Sequence, residues 1–204
     1  MQRKRSKAPL FVGLFLITTS IILIIYWFYS NQSEMKLENN SILEYIEETS
    51  QEEILNNEED EESSSKSESI SYNMILEIES IDLKKGLYDL TSNYNDVDYG
   101  LEMLEISNMP SINNSVLVIA SHSGNSSISY FKNLYKLKKN DVASIYYEGI
   151  KYNYELADII EVDKTGTIEM DLDRTNNVLI LITCKKNTDK QYVFIFYLSD
   201  IESY

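Results

Sequence analysis

The strongest constraint on this chain is a run of 22 residues, 8–29, without a charged side chain. As an α-helix at about 1.5 Å per residue, this run would span roughly 33 Å, which matches the hydrocarbon core of a bilayer. Four basic residues lie in the tail 1–7, and aromatic residues 26–29 end the run. Basic residues stay on the cytoplasmic side and aromatic residues favour the interface, so we expect a single-pass transmembrane helix with a cytoplasmic N-terminus.

A cleaved secretory signal is the alternative interpretation of residues 8–29. The run exceeds the apolar core of such signals, which is roughly 7–15 residues long, and no small-residue cleavage site follows it. An uncleaved anchor is therefore favoured. It would place the rest of the chain at the outer face of the cell membrane.

The segment 30–71 carries 13 acidic residues against Lys36 and Lys66. It has too little apolar surface to offset the entropy of ordering, which predicts an acidic, disordered linker. Ser41 and Glu44 could cap a short, marginal helix within it. A solvated tether is favoured over a docking or lid role for this helix.

Composition excludes several function classes. The net charge of −15 would repel nucleic-acid phosphates, so we expect no nucleic-acid partner. One cysteine cannot form an internal disulfide, and one cysteine with one histidine cannot complete a four-ligand zinc site. Any special role of the single thiol must therefore be chemical.

Residues 72–204 consist of short β-rich runs between turn residues, which predicts a mainly β sandwich or barrel. The run 178–182 is apolar throughout, as in a central strand that is buried on both faces. Glu148–Gly149 predicts a hairpin turn, and helices are expected at Val97–Leu104 and Ser129–Lys138. The expected strands are 73–78, 115–120, 142–147, 150–162, 178–183 and 191–198.

The only histidine and the only cysteine, His122 and Cys184, each follow or end a predicted strand. Taken alone, a lone thiol is usually a small buried hydrophobe and a lone imidazole a satisfied turn residue. Together at two strand ends, they fit an enzyme in which the imidazole stabilises a thiolate and protonates a leaving amine. The thiolate would form a thioester with the acyl group of the substrate. If water then attacks this thioester the enzyme is a protease, and if an amine attacks it the enzyme is a transpeptidase that needs no ATP.

Several separated segments resemble the sortases of Gram-positive bacteria. Ile180–Cys184 is similar to the family's T-L-x-T-C strand, and Val118–Gly124 to its catalytic-histidine segment. The likeness runs in the right order over nearly all of 72–204. Three further segments resemble the opening strand, the early helix and loop, and the helix and turn after the histidine: 78–81, 97–109 and 131–141.

The resemblance implies an eight-stranded β-barrel with short helices, here after the anchor and linker. It implies that Cys184 attacks the Thr–Gly bond of an LPxTG-like sorting signal on a surface protein. It also implies that His122 is the general acid/base, and that the acyl group passes to an amine of a peptidoglycan precursor or a pilin lysine.

The sequence departs from the family at the arginine after the catalytic cysteine. Gln191 occupies that position and Lys190 lies beside it, so Lys190 is our catalytic substitute. We assign Gln191, Thr183 and Ser121 to substrate or oxyanion binding. Arg174 could approach Cys184 from another loop, although an ordinary exposed charge is the favoured interpretation of this residue.

Other readings stay open at this point. A sortase-like domain that binds sorting signals or envelope partners without turnover is the main alternative, because the family arginine is missing. A papain-like protease is a distant third, since no C-G-x-C-W-like context surrounds Cys184. We expect no metal and no cofactor; a Ca²⁺ site at Glu169, Asp171 and Asp173 is the alternative to a solvated acidic loop.

Overall fold

The structure, a computed structural model, describes residues 8–52, 72–166, 168 and 176–204. It opens with helix α1, Ala8–Glu52, which is 45 residues long and extends into the segment predicted to be a linker. Residues 53–71 of that segment lie outside the described residues. Among the residues that are described, no helix is both long and apolar enough to cross a membrane. The chain divides into two compact units, Met1–Asn40 and Ser41–Tyr204.

The second unit is built from β-strands, and its described part forms a mainly β, nearly closed barrel, as predicted. Two 3₁₀ helices interrupt the strands, η1 (Glu79–Ile81) and η2 (Tyr130–Lys136). The strands are β1 (Met74–Ile78), β2 (Leu83–Leu87), β3 (Glu102–Met103), β4 (Val116–Ala120), β5 (Val142–Tyr147), β6 (Ile150–Asp163), β7 (Val178–Cys184) and β8 (Lys190–Ser203).

The strands form one sheet in the order β2-β1-β5-β6-β8-β7-β4-β3. Within the described residues, β4 and β7 are the parallel pair and the other pairs are antiparallel. A parallel pair requires a long crossover connection, and here the crossover contains η2, β5 and β6. The topology therefore brings together two strands that are far apart in sequence.

The turn between β5 and β6 confirms the predicted hairpin. Glu148 has φ +48° and Gly149 has φ +75°, so both central residues are left-handed. This conformation matches the right-handed twist of the flanking strands, and glycine adopts it without steric cost. β6 and β8 then pair along almost their whole length, from Ile150 opposite Ser203 to Asp163 opposite Lys190.

Strand β7 is buried on both faces, which explains its uninterrupted apolar sequence. Leu179 and Leu181 belong to the larger core cluster inside the barrel. Val178 and Ile180 belong to a smaller cluster on the other face, where they pack with Val118 and with residues of β8. Because side chains alternate along a strand, these two clusters give each residue of β7 a defined face.

The end of α1 that belongs to the second unit packs onto the barrel. Ile42 is 2% exposed, and the Tyr45 hydroxyl donates to the carbonyl of Asn73 at 2.8 Å. The hydroxyls of Thr49 and Tyr204 lie 2.9 Å apart. Burial raises the pKa of Tyr45 above its ordinary value. The short helix predicted near Ser41 is thus part of a longer helix that contacts the strands.

The prediction of a helix over Val97–Leu104 is wrong. The segment forms turns followed by β3. The Asn95 side chain donates to the carbonyl of Met103 at 2.9 Å and accepts its N–H at 2.7 Å, and the Asp96 carboxylate accepts the N–H of Asp98 at 2.8 Å. Such short polar side chains bind nearby backbone groups and compete with helix formation.

The helix predicted at Ser129–Lys138 is present as the shorter η2. Phe131 and Leu134 are its buried residues. They are three positions apart, the spacing at which side chains align in a 3₁₀ helix.

Candidate active site

The parallel register of β4 and β7 places the two candidate catalytic residues side by side. Ala120 is opposite Ile182, and two further steps put His122 opposite Cys184. The contacts continue past the end of β4: the N–H of Ser121 donates to the carbonyl of Ile182 at 3.3 Å, and the Ser123 hydroxyl donates to the carbonyl of Cys184. Adjacent strands lie about 4.7–4.9 Å apart, so the backbones of residues 122 and 184 lie close together.

Alternation along β7 gives Cys184 the face of Val178 and Ile180, outside the barrel interior. His122 lies two residues past the end of β4, with the same parity as Val118. Cys184 is half-buried, and the His122 side chain is 41% exposed. A reactive group that is held at a strand end yet open to solvent can meet a peptide substrate.

Asp98 contacts His122 and is a candidate site residue that the sequence analysis does not predict. Its Oδ1 lies 3.4 Å from Nε2 of His122. At this position the Asp98 carboxylate can accept an N–H of the imidazole. No sequence motif indicates a role for Asp98. The sequence predicts a helix over this segment, whereas Asp98 lies in a turn.

The turn that carries Asp98 is fixed relative to the histidine. The Ser121 hydroxyl is buried and donates to the carbonyl of Gly100 at 2.8 Å. Gly100 has φ +149°, and a Cβ there would lie 2.7 Å from the ring of Tyr130. Glycine is therefore required at this close approach. Ser121 thus joins the Asp98 turn to the residue before His122.

Thr183, like Ser121, uses its hydroxyl hydrogen within the protein. Its Oγ1 is buried and donates to the carbonyl of Ser121 at 2.8 Å. The two hydroxyls predicted to bind substrate or oxyanion therefore connect β4, β7 and the Asp98 turn. In this arrangement they position His122 and Cys184.

Gln191 and Lys190 point in different directions from β8. Gln191 is directly opposite Cys184 in the antiparallel ladder and shares its face with Val193 and Ile195. Lys190 is on the other face, where its Nζ lies 3.0 Å from Oε1 of Glu161. The structure thus brings Gln191, and not Lys190, to the side of the strand that carries the thiol.

Glu161 joins two lysines next to the site. Lys185 donates to its Oε2, and Lys190 contacts its Oε1. These hydrogen bonds hold the pKa of Glu161 below its usual value, and the Glu161 carboxylate raises the pKa of Lys185. The pairs join β6 to the residue after Cys184 and to the first residue of β8.

A cleft of about 420 Å³ opens beside Cys184. This volume is in the range of small-ligand and peptide sites. The cleft is lined by Ser123, Phe131, Lys132, Tyr135, Thr183, Cys184, Lys185, Lys186 and Tyr192. Glu169, Asp171, Asp173 and Arg174 lie outside the described residues. Within the part of the chain that the structure describes, no group of three or more His, Cys, Asp and Glu side chains could hold a metal.

The sortase domain family model matches residues 76–199, which include His122, Cys184 and the strands that carry them. The chain belongs to the sortase family. It is therefore a cysteine transpeptidase of the sortase type. Among curated proteins, none matches its sequence.

Solved structures of several sortases share the fold of this sortase. A lid mutant of sortase A from Corynebacterium diphtheriae is 25% identical with a TM-score of 0.57, and the match covers 64% of this chain and 72% of that one. Sortase C-3 from Streptococcus pneumoniae is 18% identical with a TM-score of 0.58, covering 82% and 84%. A Clostridium perfringens sortase D5 transpeptidase is 17% identical with a TM-score of 0.59, covering 81% and 99%. The similar structures thus span several sortase classes.

Proposed function

We propose that this sortase cleaves an LPxTG-like sorting signal between Thr and Gly and transfers the threonyl acyl group to an amine. The position of the exposed His122 opposite Cys184, at the end of the parallel pair, carries this proposal. A thiol paired with an imidazole is a nucleophile with its own acid/base partner.

In the first step, Sγ of Cys184 attacks the threonyl carbonyl carbon. His122 takes the proton of the thiol as the C–S bond forms, and it delivers that proton to the leaving amine as the peptide C–N bond breaks. In the second step, the acceptor amine attacks the thioester carbonyl and loses a proton to the imidazole. The C–N bond forms, the C–S bond breaks, and the imidazole returns its proton to Sγ, which regenerates the thiol. The energy of the first peptide bond is thus conserved in the acyl-enzyme.

Gln191 is our candidate for a donor to the oxyanion. It lies opposite Cys184 on the same face, and its side chain has no hydrogen-bond partner among the described residues. Its amide can donate without a charge, whereas Lys190 is paired with Glu161. We expect Gln191→Ala to lower kcat by about 10²–10³-fold, as removal of an oxyanion donor does elsewhere. Lys190→Ala is the matched change, and a larger loss in Lys190→Ala would return the role to Lys190.

The acceptor we propose is an amine of a peptidoglycan precursor or a lysine of a pilin. We also propose membrane anchoring, with the catalytic domain outside the cell. The uncharged run 8–29 behind a basic tail supports the anchor. Fractionation of cells that express the full chain, or the chain without residues 1–29, tests it. Recovery of the full chain in the soluble fraction would contradict the anchor.

The decisive experiment incubates the full chain in detergent with a fluorogenic LPxTG peptide, with and without an amine acceptor. Thr–Gly cleavage and acceptor-dependent ligation, both lost in Cys184→Ala, support the transpeptidase. Tight peptide capture without cleavage would instead support the binding domain, an alternative that the missing arginine favours. Cleavage of unrelated peptides would indicate a general protease.

A further inference from the structure

The cleft beside Cys184 has the opposite charge to the rest of the protein. The chain carries 33 acidic and 18 basic residues. The cleft is lined by Lys132, Lys185 and Lys186, and no carboxylate is among its described lining residues. Three lysines around one concave surface attract anionic groups and raise their local concentration.

Two of these three lysines are available to a ligand. Lys185 is paired with Glu161. Lys186 donates to the neutral side-chain oxygen of Asn125 at 3.2 Å, and no described carboxylate pairs with either Lys132 or Lys186. The carboxylate of Glu161 thus neutralises one side of the cleft and leaves two positive charges on the other.

The floor of the cleft is apolar. Phe131 is 1% exposed, and Tyr192 packs against the core of the barrel. A site with an apolar floor and a few charged groups at its rim suits a peptide group that ends in a carboxylate. Free phosphate or a metal ion would leave the apolar floor unused.

We propose that this cleft is a carboxylate-binding subsite, in which Lys132 and Lys186 bind an acidic group of the reacting peptides. The subsite rests on the proposed function only for the identity of those peptides. The carboxylate comes from one of two sources. One is an acidic residue near the scissile bond of the sorting signal, and the other is an acidic group of the amine acceptor. Because both lysines lie at an open rim, each pair adds at most about 1 kcal/mol, so we expect a preference for acid over amide of up to about fivefold for each lysine that contacts the carboxylate.

Two assays on the full chain in detergent separate the sources. The first measures kcat/KM for hydrolysis of LPxTG peptides that carry Asp or Asn at each position around the scissile bond. The second measures ligation to an acceptor with a free carboxylate, such as glycine, and to its amide, glycinamide. A preference for the acid in the first assay assigns the carboxylate to the signal, and in the second to the acceptor.

The lysine assignment is tested with Lys132→Gln, Lys186→Gln and the matched control Lys139→Gln, an exposed lysine outside the cleft. The acid preference is expected to fall in the first two variants, to persist in the control, and to weaken at high salt because exposed pairs are screened. Equal rates for acid and amide in both assays, or a preference that survives both cleft substitutions, would overturn the proposal.

Binding to the Cys184→Ala protein keeps this test independent of turnover. Fluorescence anisotropy of dye-labelled Asp and Asn peptides measures affinity without catalysis. If the wild-type protein cleaves nothing but the variant still binds the acid peptide more tightly, the subsite stands and the transpeptidase proposal fails. If cleavage occurs with no preference in either assay, the reverse holds.

Discussion

Two clefts in the described part of the barrel differ in size and chemistry. The larger, about 730 Å³, is lined by Glu79, Asp141 and Asp200 among other polar residues, and the smaller, about 420 Å³, contains Cys184 and three lysines. Tyr192 and Ser199, one from each cleft, are seven residues apart along β8, roughly 20 Å. If volume alone were used to choose the active site, the larger cleft would be chosen, although it does not contain Cys184.

The larger cleft contains a buried polar network, and the smaller cleft contains two lysines without a carboxylate partner among the described residues. In the larger cleft, buried Asn153 accepts from Ser144 at 2.7 Å and donates to Glu202 at 2.8 Å. In the smaller cleft, Lys132 and Lys186 have no carboxylate partner among the described residues. Polar groups that already bind one another stabilise the fold, whereas open ones are ready for a ligand. This difference predicts that the two clefts respond differently to mutation.

The largest effect is expected from His122→Gln. Loss of the acid/base should lower kcat by about 10²–10⁴-fold while the thermal melting temperature changes little, because the ring is exposed. Peptide cleavage and calorimetry measure the two quantities. The control Asp200→Asn, in the larger cleft, should keep wild-type kcat, and an equal loss in both variants would remove the distinction between the clefts.

Asn153→Ala should have the opposite profile. The substitution leaves the buried Ser144 hydroxyl without its partner, so we expect a loss of about 1–3 kcal/mol in the free energy of unfolding. Urea denaturation measures this loss, and kcat per folded molecule should not change. Exposed Asn113→Ala is the control, with an expected change below about 0.5 kcal/mol. A stable Asn153→Ala protein with impaired turnover would show that the larger cleft takes part in the reaction.

Asp98→Asn tests the contact with His122 and should have a smaller effect. The Asp98 side chain is 80% exposed, so its loss should lower kcat by up to about fivefold. The chain has one histidine, so ¹⁵N NMR of an untagged protein reports its tautomer without overlap. The Nε2–H form should decrease in Asp98→Asn and persist in the control Glu105→Gln. An unchanged tautomer would show that Asp98 does not orient the ring.

The smallest effect concerns Glu161 and pH. Hydrogen bonds from Lys185 and Lys190 lower the pKa of Glu161 in the folded protein. Its contribution to stability is therefore present above the unfolded pKa, about 4.5, and is lost as the pH falls through the folded value. Melting temperatures between neutral pH and pH 3 should show this acid-side loss in the wild type and in exposed Glu155→Gln, and less of it in Glu161→Gln. An identical pH dependence in all three proteins would contradict the pairing.

Much of the barrel could be predicted because its strands carry strong local signals. The sequence pattern predicts β5 at its observed bounds, and the apolar run predicts β7. β2 was missed because Lys84, Lys85 and Gly86 interrupt its apolar pattern. Lysines are typical of edge strands such as β2, where they discourage pairing with another chain. β8 extends beyond the predicted end because its charged residues 200 and 202 pair with β6.

The candidate site also has some features that the sequence predicts and others that it does not. The positions of His122 and Cys184 at strand ends were readable from the sequence, because they follow apolar runs. Their alignment depends on the parallel register, and the face of Gln191 depends on pairing with β7. The contact of Asp98 with the imidazole arises from a turn whose hydrogen bonds join residues far apart in the chain. Such long-range contacts leave no local pattern.

The parallel pair of β4 and β7 has an evolutionary consequence. Everything between these strands, including η2, β5 and β6, lies in the crossover, outside the ladder that aligns β4 with β7. Insertions in the surface loops of this crossover can therefore change substrate recognition, while the parallel pairing of β4 and β7 keeps the positions of Cys184 and His122 aligned. Selectivity and chemistry can diversify separately on this scaffold.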